Sequence, residues 1–561
     1  MPANPGAPEI ASYAIAAALD PEARRLEAVQ RLTYHNAYSR PINELVLHLY
    51  LNAFRSLDTV FMEESGGALR GYEFTPENAG WIEVTSITLA GEPLELELLE
   101  DGTLASARLP QPVAPGEALV VDMTFTAQLP QVFARTGWAL DEQGDPFFLV
   151  AQWFPKAGVW TDEGWVADVF HGNAEFFADF GSYQVTLTLP EGWAHGATGI
   201  PAEAGPAEQP EGWQTVTYLA AGVIDFAWVT SPNLQSAVRD AGGVELRYLY
   251  LPEHDWTVER ILPAVESSLE RFSAWFGAYP YPRLTIVDVP EEGSGAGGME
   301  YPTFITVGGG YGSPDGDLGG WGDFMEIVAV HETAHQWWQS MVATNEAREP
   351  WLDEGFADYA TVRFMIDRYG LDSESGFFEG RRNAFLRAPD VPMLGPAWEF
   401  SYGEYVAAAY AKPIMALLTL ERQVGEETML RILRAYFERY RFAQPTTADF
   451  RAVAEEVSGQ PLDWFFDGLV TGEETINYTV RQVGQDTVVV EREGDLELPV
   501  EVAVTLSGGG AEDGEALAVC PGPGEEAVCT LRYPGKTVQS VTLDPERKLL
   551  IETDWEDNTW P

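Results

Sequence analysis

Lysine is scarce in this chain, with four residues (Lys156, Lys412, Lys536 and Lys548) against 29 arginines (33 − 4), and 87 acidic side chains bring the formal charge to −54. A surface of that sign repels nucleic acid and anionic membranes, and no nucleic-acid partner is expected. A solvated acidic coat, suited to an outside or salty environment, accounts for it. Long apolar runs are also missing. No stretch approaches the roughly eighteen residues of a membrane span, and the opening "MPANPGAPEIASYAIAAALD" lacks the basic start and long apolar core of a secretion signal. The chain is expected to be soluble, with no membrane span. Cysteine occurs twice, as Cys520 and Cys529 in "ALAVCPGPGEEAVCTLRY", which reads as two strands around a Pro/Gly turn. Either the two face each other across the hairpin and bond, which implies an oxidising compartment, or they remain buried thiols. An extracytoplasmic location is the expectation, and a cytoplasmic one the alternative.

What the chain has in quantity is apolar surface, with 45% hydrophobic and 12% aromatic residues, which excludes disorder. At 561 residues it exceeds one compact domain. Residues 1–240 carry alternating stretches such as "ELVLHLYLNAF", "ALVVDMTFTAQL" and "YQVTLTLPEGW" between Gly/Pro turns, the pattern of a large antiparallel β domain. Residues 241–472 are mostly helical in period, from "WTVERILPAVESSLERFSAWFGAYPYP" to "TTADFRAVAEEVSGQPLDWFF". Residues 473–561 return to alternation, as in a small β-sandwich. The expected fold class is therefore multi-domain α+β. "GGGYGSPDGDLGGWGD" is glycine-rich but lacks the Gly-Lys-Ser/Thr ending of a phosphate loop, and reads as a plain loop before a helix.

Histidine is rare as well, at seven residues, yet two of them stand four apart in "HETAHQWWQ", residues 331 to 339. Random placement of histidines and acids would give roughly 0.01 copies of the pattern His-acid-x-x-His in a chain of this composition. Four residues along a helix turn by about 40°, so His331 and His335 share a face and both imidazoles reach one zinc ion. Zinc needs a further protein ligand. Glu354 in "WLDEGFADY" follows His335 after eighteen residues, enough to end one helix, turn, and begin another. Three protein ligands leave one position for water, the mark of a catalytic zinc rather than a closed structural one. A core helix with two satisfied histidines is the bland alternative.

Three further stretches narrow the choice: "GGMEYP" (297–302), "WLDEGFADY" (351–359) and "YAKP" (410–413). With the histidine motif, and in this order, they resemble the zinc aminopeptidases of the aminopeptidase N family. That branch of the gluzincins has the pattern Gly-x-Met-Glu-Asn, His-Glu-x-x-His-x18-Glu, then tyrosine followed two residues later by lysine. The resemblance implies an N-terminal β domain before a thermolysin-like, α-rich zinc catalytic domain, and peptide substrates with a free N-terminus. It implies one zinc ion held by His331, His335 and Glu354, which acidifies water and polarises the scissile carbonyl. Glu332 becomes the general base that takes the water's proton and passes it to the leaving amine. Tyr410, with Tyr402 and Tyr405 as rivals on sequence alone, becomes the donor to the oxyanion. Glu300 becomes the anchor for the substrate's α-amino group, next to Met299 in the same motif. Gly297 and Gly298 let the substrate backbone approach, unless they form a bare turn before a strand.

Asp358 lies four residues after Glu354 on the same helical face and is read as orienting a zinc-bound imidazole, with a solvated aspartate as the alternative. The chain departs from the family pattern at Tyr301 and Asp353, where asparagine is usual, and at Pro413, where glycine is common. Tyr301 puts the preferred first residue in question. Long relatives carry a large helical domain after the catalytic one, whereas here β-patterned residues follow Gly472. A more open site and a monomer are therefore expected. Two rival functions are a zinc endopeptidase, which tolerates an acetylated N-terminus, and a β-domain binding module with a vestigial zinc site.

Overall fold

The computed structural model describes the whole chain except residues 70–71, 133, 174, 203–210, 309–323, 371–375, 509–513 and 522–526. The glycine-rich stretch read as a plain loop lies, from residue 309 on, outside the described residues. The backbone forms two compact units that interleave in sequence. One comprises Met1–Ala347, Arg363–Gly376 and Phe437–Pro445, the other Arg348–Val362, Phe377–Tyr436 and Thr446–Pro561.

The first unit opens with an eight-stranded sheet whose central strands are Gly181–Pro190, Ala11–Asp20, Arg25–His35, Ala118–Gln128 and Trp81–Leu89, in that order. Alternation sets its buried face: Tyr13, Ile15, Ala17 and Leu19 point inward from one strand, and Leu26, Ala28, Leu32 and Tyr34 from the next. The sheet departs from the antiparallel expectation in one place, because Ala11–Asp20 runs parallel to Gly181–Pro190. Alternation reports which face of a strand is buried and says nothing of the direction of its neighbour, so this pairing left no local signature.

A five-stranded mixed sheet follows, ordered Gln235–Ala241, Val244–Tyr250, Arg283–Val287, Phe304–Val307 and Gly298–Met299. Its last strand is an edge, paired on one side only with Thr306 and Val307. The helix Val258–Trp275 buries Ile261, Leu262, Val265, Leu269 and Phe272. Phe272 stacks edge-on against Trp337, just beyond the histidine helix Phe324–Ala334, with ring centroids 5.9 Å apart. Buried aromatic pairs of this kind lock the helix that carries the motif.

In the second unit, Trp351, Phe356, Tyr436, Phe450, Phe465 and Phe466 build an aromatic core among the helices. Its last strands form two sheets, one of Asn477–Val483, Thr487–Glu493 and Val528–Arg532, the other including Val500–Ser507, Gly514–Cys520 and Thr537–Leu543. Cys520 and Cys529 are bonded, with Cα atoms 5.8 Å apart. They do not face each other within one hairpin, however: their strands belong to different sheets, and the bridge ties the two layers together. Among the described residues no helix is long and apolar enough to cross a membrane.

Candidate active site

The histidine helix runs Phe324–Ala334, and His335 follows directly, its backbone N–H still bonded to the His331 carbonyl at 3.2 Å. The helical spacing thus persists one residue past the regular helix. The two Nε2 atoms converge to 3.0 Å. Two nitrogens bound to a tetrahedral zinc at about 2.0–2.1 Å would stand about 3.3 Å apart, so the pair fits that ion. His335 Nδ1 lies 3.0 Å from the Trp338 carbonyl. A carbonyl only accepts, so Nδ1 carries the hydrogen and Nε2 presents its lone pair.

Glu300 and Glu332 belong to the same unit as the histidines. A carboxylate oxygen of each and a ring nitrogen of His335 lie within 4.8 Å of one another. Both acids are buried, Glu300 at 8% and Glu332 at 5% exposure. The Glu300 carbonyl accepts from Gln336 Nε2 at 3.4 Å and from Ser340 Oγ at 3.2 Å, which registers the sheet edge against the end of the histidine motif.

The two glycines are required for different reasons. Gly297 has φ 67° and ψ −168°, a region essentially closed to other residues. At Gly298 an added Cβ would stand 2.3 Å from Glu332 Oε1 and 2.7 Å from Val328 Cγ1. The missing side chain therefore makes room for the acid as well as leaving the strand edge bare. We predict that Gly298→Ala pushes the Glu332 carboxylate aside and lowers kcat by on the order of 100-fold, the scale of a 1 Å misplacement. Steady-state kinetics beside a melting curve check this, and a kcat within threefold of wild type would contradict it.

In the second unit Glu354 is the first residue of the helix Glu354–Tyr369, and the Tyr410 hydroxyl donates to its Oε1. This contact separates Tyr410 from its rivals: Tyr402 is 76% exposed, and Tyr405 packs edge-on against the Tyr410 ring. Tyr410 sits in a widened π-helical stretch, Val406–Ala411, where the Lys412 N–H reaches back five residues to the Ala407 carbonyl. Pro413 has no N–H to offer Ala409, and π turns of this kind recur at functional positions. Pro413 also packs on Gly355, where an added Cβ would meet the proline Cβ at 2.5 Å. Lys412 is buried and donates to the Val391 carbonyl at 2.7 Å, so it anchors the helix. Burial pulls its pKa down to about 8, with Asp390 and Glu473 opposing. Asp358 is fully buried, which excludes the solvated reading, and pairs with Arg381 at 2.8 Å. The Arg381 guanidinium in turn lies over the Tyr410 ring, 4.9 Å from its centroid.

Residues 261–385, which contain the Met-Glu, histidine and Glu354 motifs, match the peptidase family M1 domain. That segment is similar to peptidase family M1. The chain is 25% identical over 297 residues to aminopeptidase N of Streptomyces lividans, covering 50% of the chain and 34% of that protein. It is 26% identical over 237 residues to glutamyl aminopeptidase of Bos taurus, covering 40% and 24%. It therefore spans about a third or less of the length of these curated relatives. Two solved structures share its multi-domain α+β fold. An M1 zinc metallopeptidase from Deinococcus radiodurans aligns with TM-score 0.59 and 18% identity, over 83% of this chain and 94% of that one. Legionella pneumophila aminopeptidase A, solved in complex with aspartic acid, aligns with TM-score 0.70 and 16% identity, over 98% and 60%.

One residue of the candidate site was invisible in the sequence. Arg135, from the β-rich segment, donates through Nη1 to the carbonyls of Gly298 at 2.7 Å and Ala296 at 3.1 Å, and pairs with Glu175. Its own carbonyl accepts from the Tyr301 hydroxyl at 3.2 Å, which gives the departure from asparagine a structural purpose. Burial alone would lower the Arg135 pKa, but Glu175, followed by Glu300 and Tyr301, holds the guanidinium charged and well above its ordinary value. A cation thus grips the loop that carries Glu300. No spacing rule links an arginine to a loop some 160 residues downstream, so no signal pointed to it.

Proposed function

We propose that this chain is a zinc-dependent aminopeptidase of the M1 type that releases N-terminal residues from peptides. The observation that carries the reading is the meeting of Glu300, Glu332 and His335 ligand atoms within 4.8 Å, because it sets an amine anchor and a base beside a metal-type imidazole. His331, His335 and Glu354 hold the ion, as their spacing in the motif requires. Bound zinc supplies a Lewis acid that acidifies water and polarises the scissile carbonyl.

The chain's own residues do the rest. Glu300 accepts a charge-assisted bond from the substrate's free α-amine, worth about 1.5–3 kcal/mol, and so counts from the N-terminus. Glu332 takes a proton from water and returns it to the leaving amine. Tyr410 O–H donates to the oxyanion that develops on the scissile carbonyl; losing such a donor typically costs on the order of 100-fold to 1000-fold. Gly297 and Met299 shape the edge along which the peptide lies. Asp358, through Arg381, holds the Tyr410 ring in place. The bonded pair Cys520 and Cys529 supports an oxidising, extracytoplasmic place of action.

Hydrolysis of aminoacyl-anilides by the zinc-loaded protein and by Glu300→Ala tests the reading. The variant should lose on the order of 10-fold to 100-fold in kcat/KM, mostly through KM, the scale of one charge-assisted bond. Unchanged turnover would remove the amine anchor and favour the endopeptidase, which needs no free terminus.

A further inference from the structure

Beside Glu300 lies a small cavity of about 20 Å³, lined by Phe176, Ile224, Met299, Pro302, Lys156 and Gln339. That is room for about one water molecule. Met299 and Glu300 belong to the motif that anchors the substrate amine. The Cβ of a first residue is two bonds from that amine, so a cavity sharing a wall with the anchor is within reach of the first side chain.

The walls carry two unused hydrogen-bonding positions. Lys156 is fully buried, and its ammonium donates to Asp225 Oδ1 and to Gln152 Oε1, both at 2.8 Å, among the rings of Tyr50, Phe154 and Phe176. An ammonium has three N–H donors, and among the described residues Lys156 has no third acceptor. Gln339, 4% exposed, donates through Nε2 to the Phe176 carbonyl at 3.2 Å, which fixes which amide atom is oxygen. Its Oε1 has no hydrogen-bond partner among the described residues. Gln339 also holds φ at 120°, a strained backbone of the kind retained where a side chain must be placed.

We propose that this cavity receives the first side chain of the peptide and selects a small, neutral, hydroxyl-bearing one, with serine preferred. This rests on Glu300 being the amine anchor. A hydroxyl both accepts and donates, so serine satisfies the Lys156 N–H and the Gln339 oxygen together, whereas alanine fits but leaves both unmade. Leucine and phenylalanine exceed the space. Asp225 already balances Lys156, so an arginine side chain would add unpaired positive charge to the cavity, and an acidic one would stand beside Glu300 and Asp225.

The test is kcat/KM for serine, alanine, leucine, phenylalanine and arginine coumarin amides with the zinc-loaded protein, its Ile224→Ala variant and its Gln339→Leu variant, each checked for folding by melting. Serine should exceed leucine, phenylalanine and arginine by at least about tenfold, the scale at which a pocket discriminates added methylenes. Ile224→Ala should raise the leucine-to-serine ratio by about tenfold, and Gln339→Leu should bring the serine-to-alanine ratio near one. Merely structural roles would move all substrates together. Preference for leucine, phenylalanine or arginine in the wild type, or ratios unchanged in both variants, overturns the proposal and leaves the aminopeptidase reading standing. Hydrolysis of no substrate overturns both.

Discussion

Stripping the protein of metal should reduce release of N-terminal residues to background, and one equivalent of zinc per chain should restore it. The reason lies in the imidazoles. With Nδ1 of His335 committed to the Trp338 carbonyl, its Nε2 lone pair points at the Nε2 of His331 only 3.0 Å away. A shared cation takes the lone pairs of both nitrogens in place of the single proton between them, and binds the folded chain in preference to the unfolded one. Zinc should therefore stabilise the fold as well as activate it. At a free concentration 100 times its dissociation constant, a single site contributes about 2.7 kcal/mol. A melting curve that rises with zinc up to one equivalent, and not with magnesium, is the expected companion to the activity. Acidification should abolish the shift, because the ligands must be deprotonated to bind.

Glu332→Gln should lower kcat by on the order of 100-fold to 10,000-fold, the usual contribution of a positioned general base. Glutamine has the same shape, so it keeps the packing of the side chain against Gly298. What it loses is the ability to take a proton from water and pass it on. KM and bound zinc should therefore change little, and the fall should appear in kcat. A loss below about tenfold would mean that another group carries the proton. A loss of zinc together with activity would mean that Glu332 holds the ion rather than serving the water.

The catalytic half of this account was legible because its residues are close in sequence. A helix converts a spacing of four into a shared face, and the sequence expectation for His331 and His335 needed no tertiary information. The tyrosine was harder. Tyr402, Tyr405 and Tyr410 are equivalent on propensity; in the sequence only the lysine two residues on, Lys412, favours Tyr410, and in the structure its contact with Glu354 sets it apart. The disulfide shows a different limit. A Pro/Gly turn between two strands suggested a hairpin, yet the strands join different sheets, because sandwich topology is decided by packing far from the turn. Beside Glu300, the residues that folding brings in from afar were hidden. Arg135, Lys156 and Asp225 come from the β-rich segment, and each acts through a partner brought near by folding. A buried lysine and a surface lysine look alike in a sequence.

The most direct test follows a ten-residue peptide by mass spectrometry with the zinc-loaded protein, once with a free N-terminus and once acetylated. The free peptide should shorten one residue at a time from its start, and the acetylated one should stay intact. Internal cleavage of both at comparable rates would contradict the account.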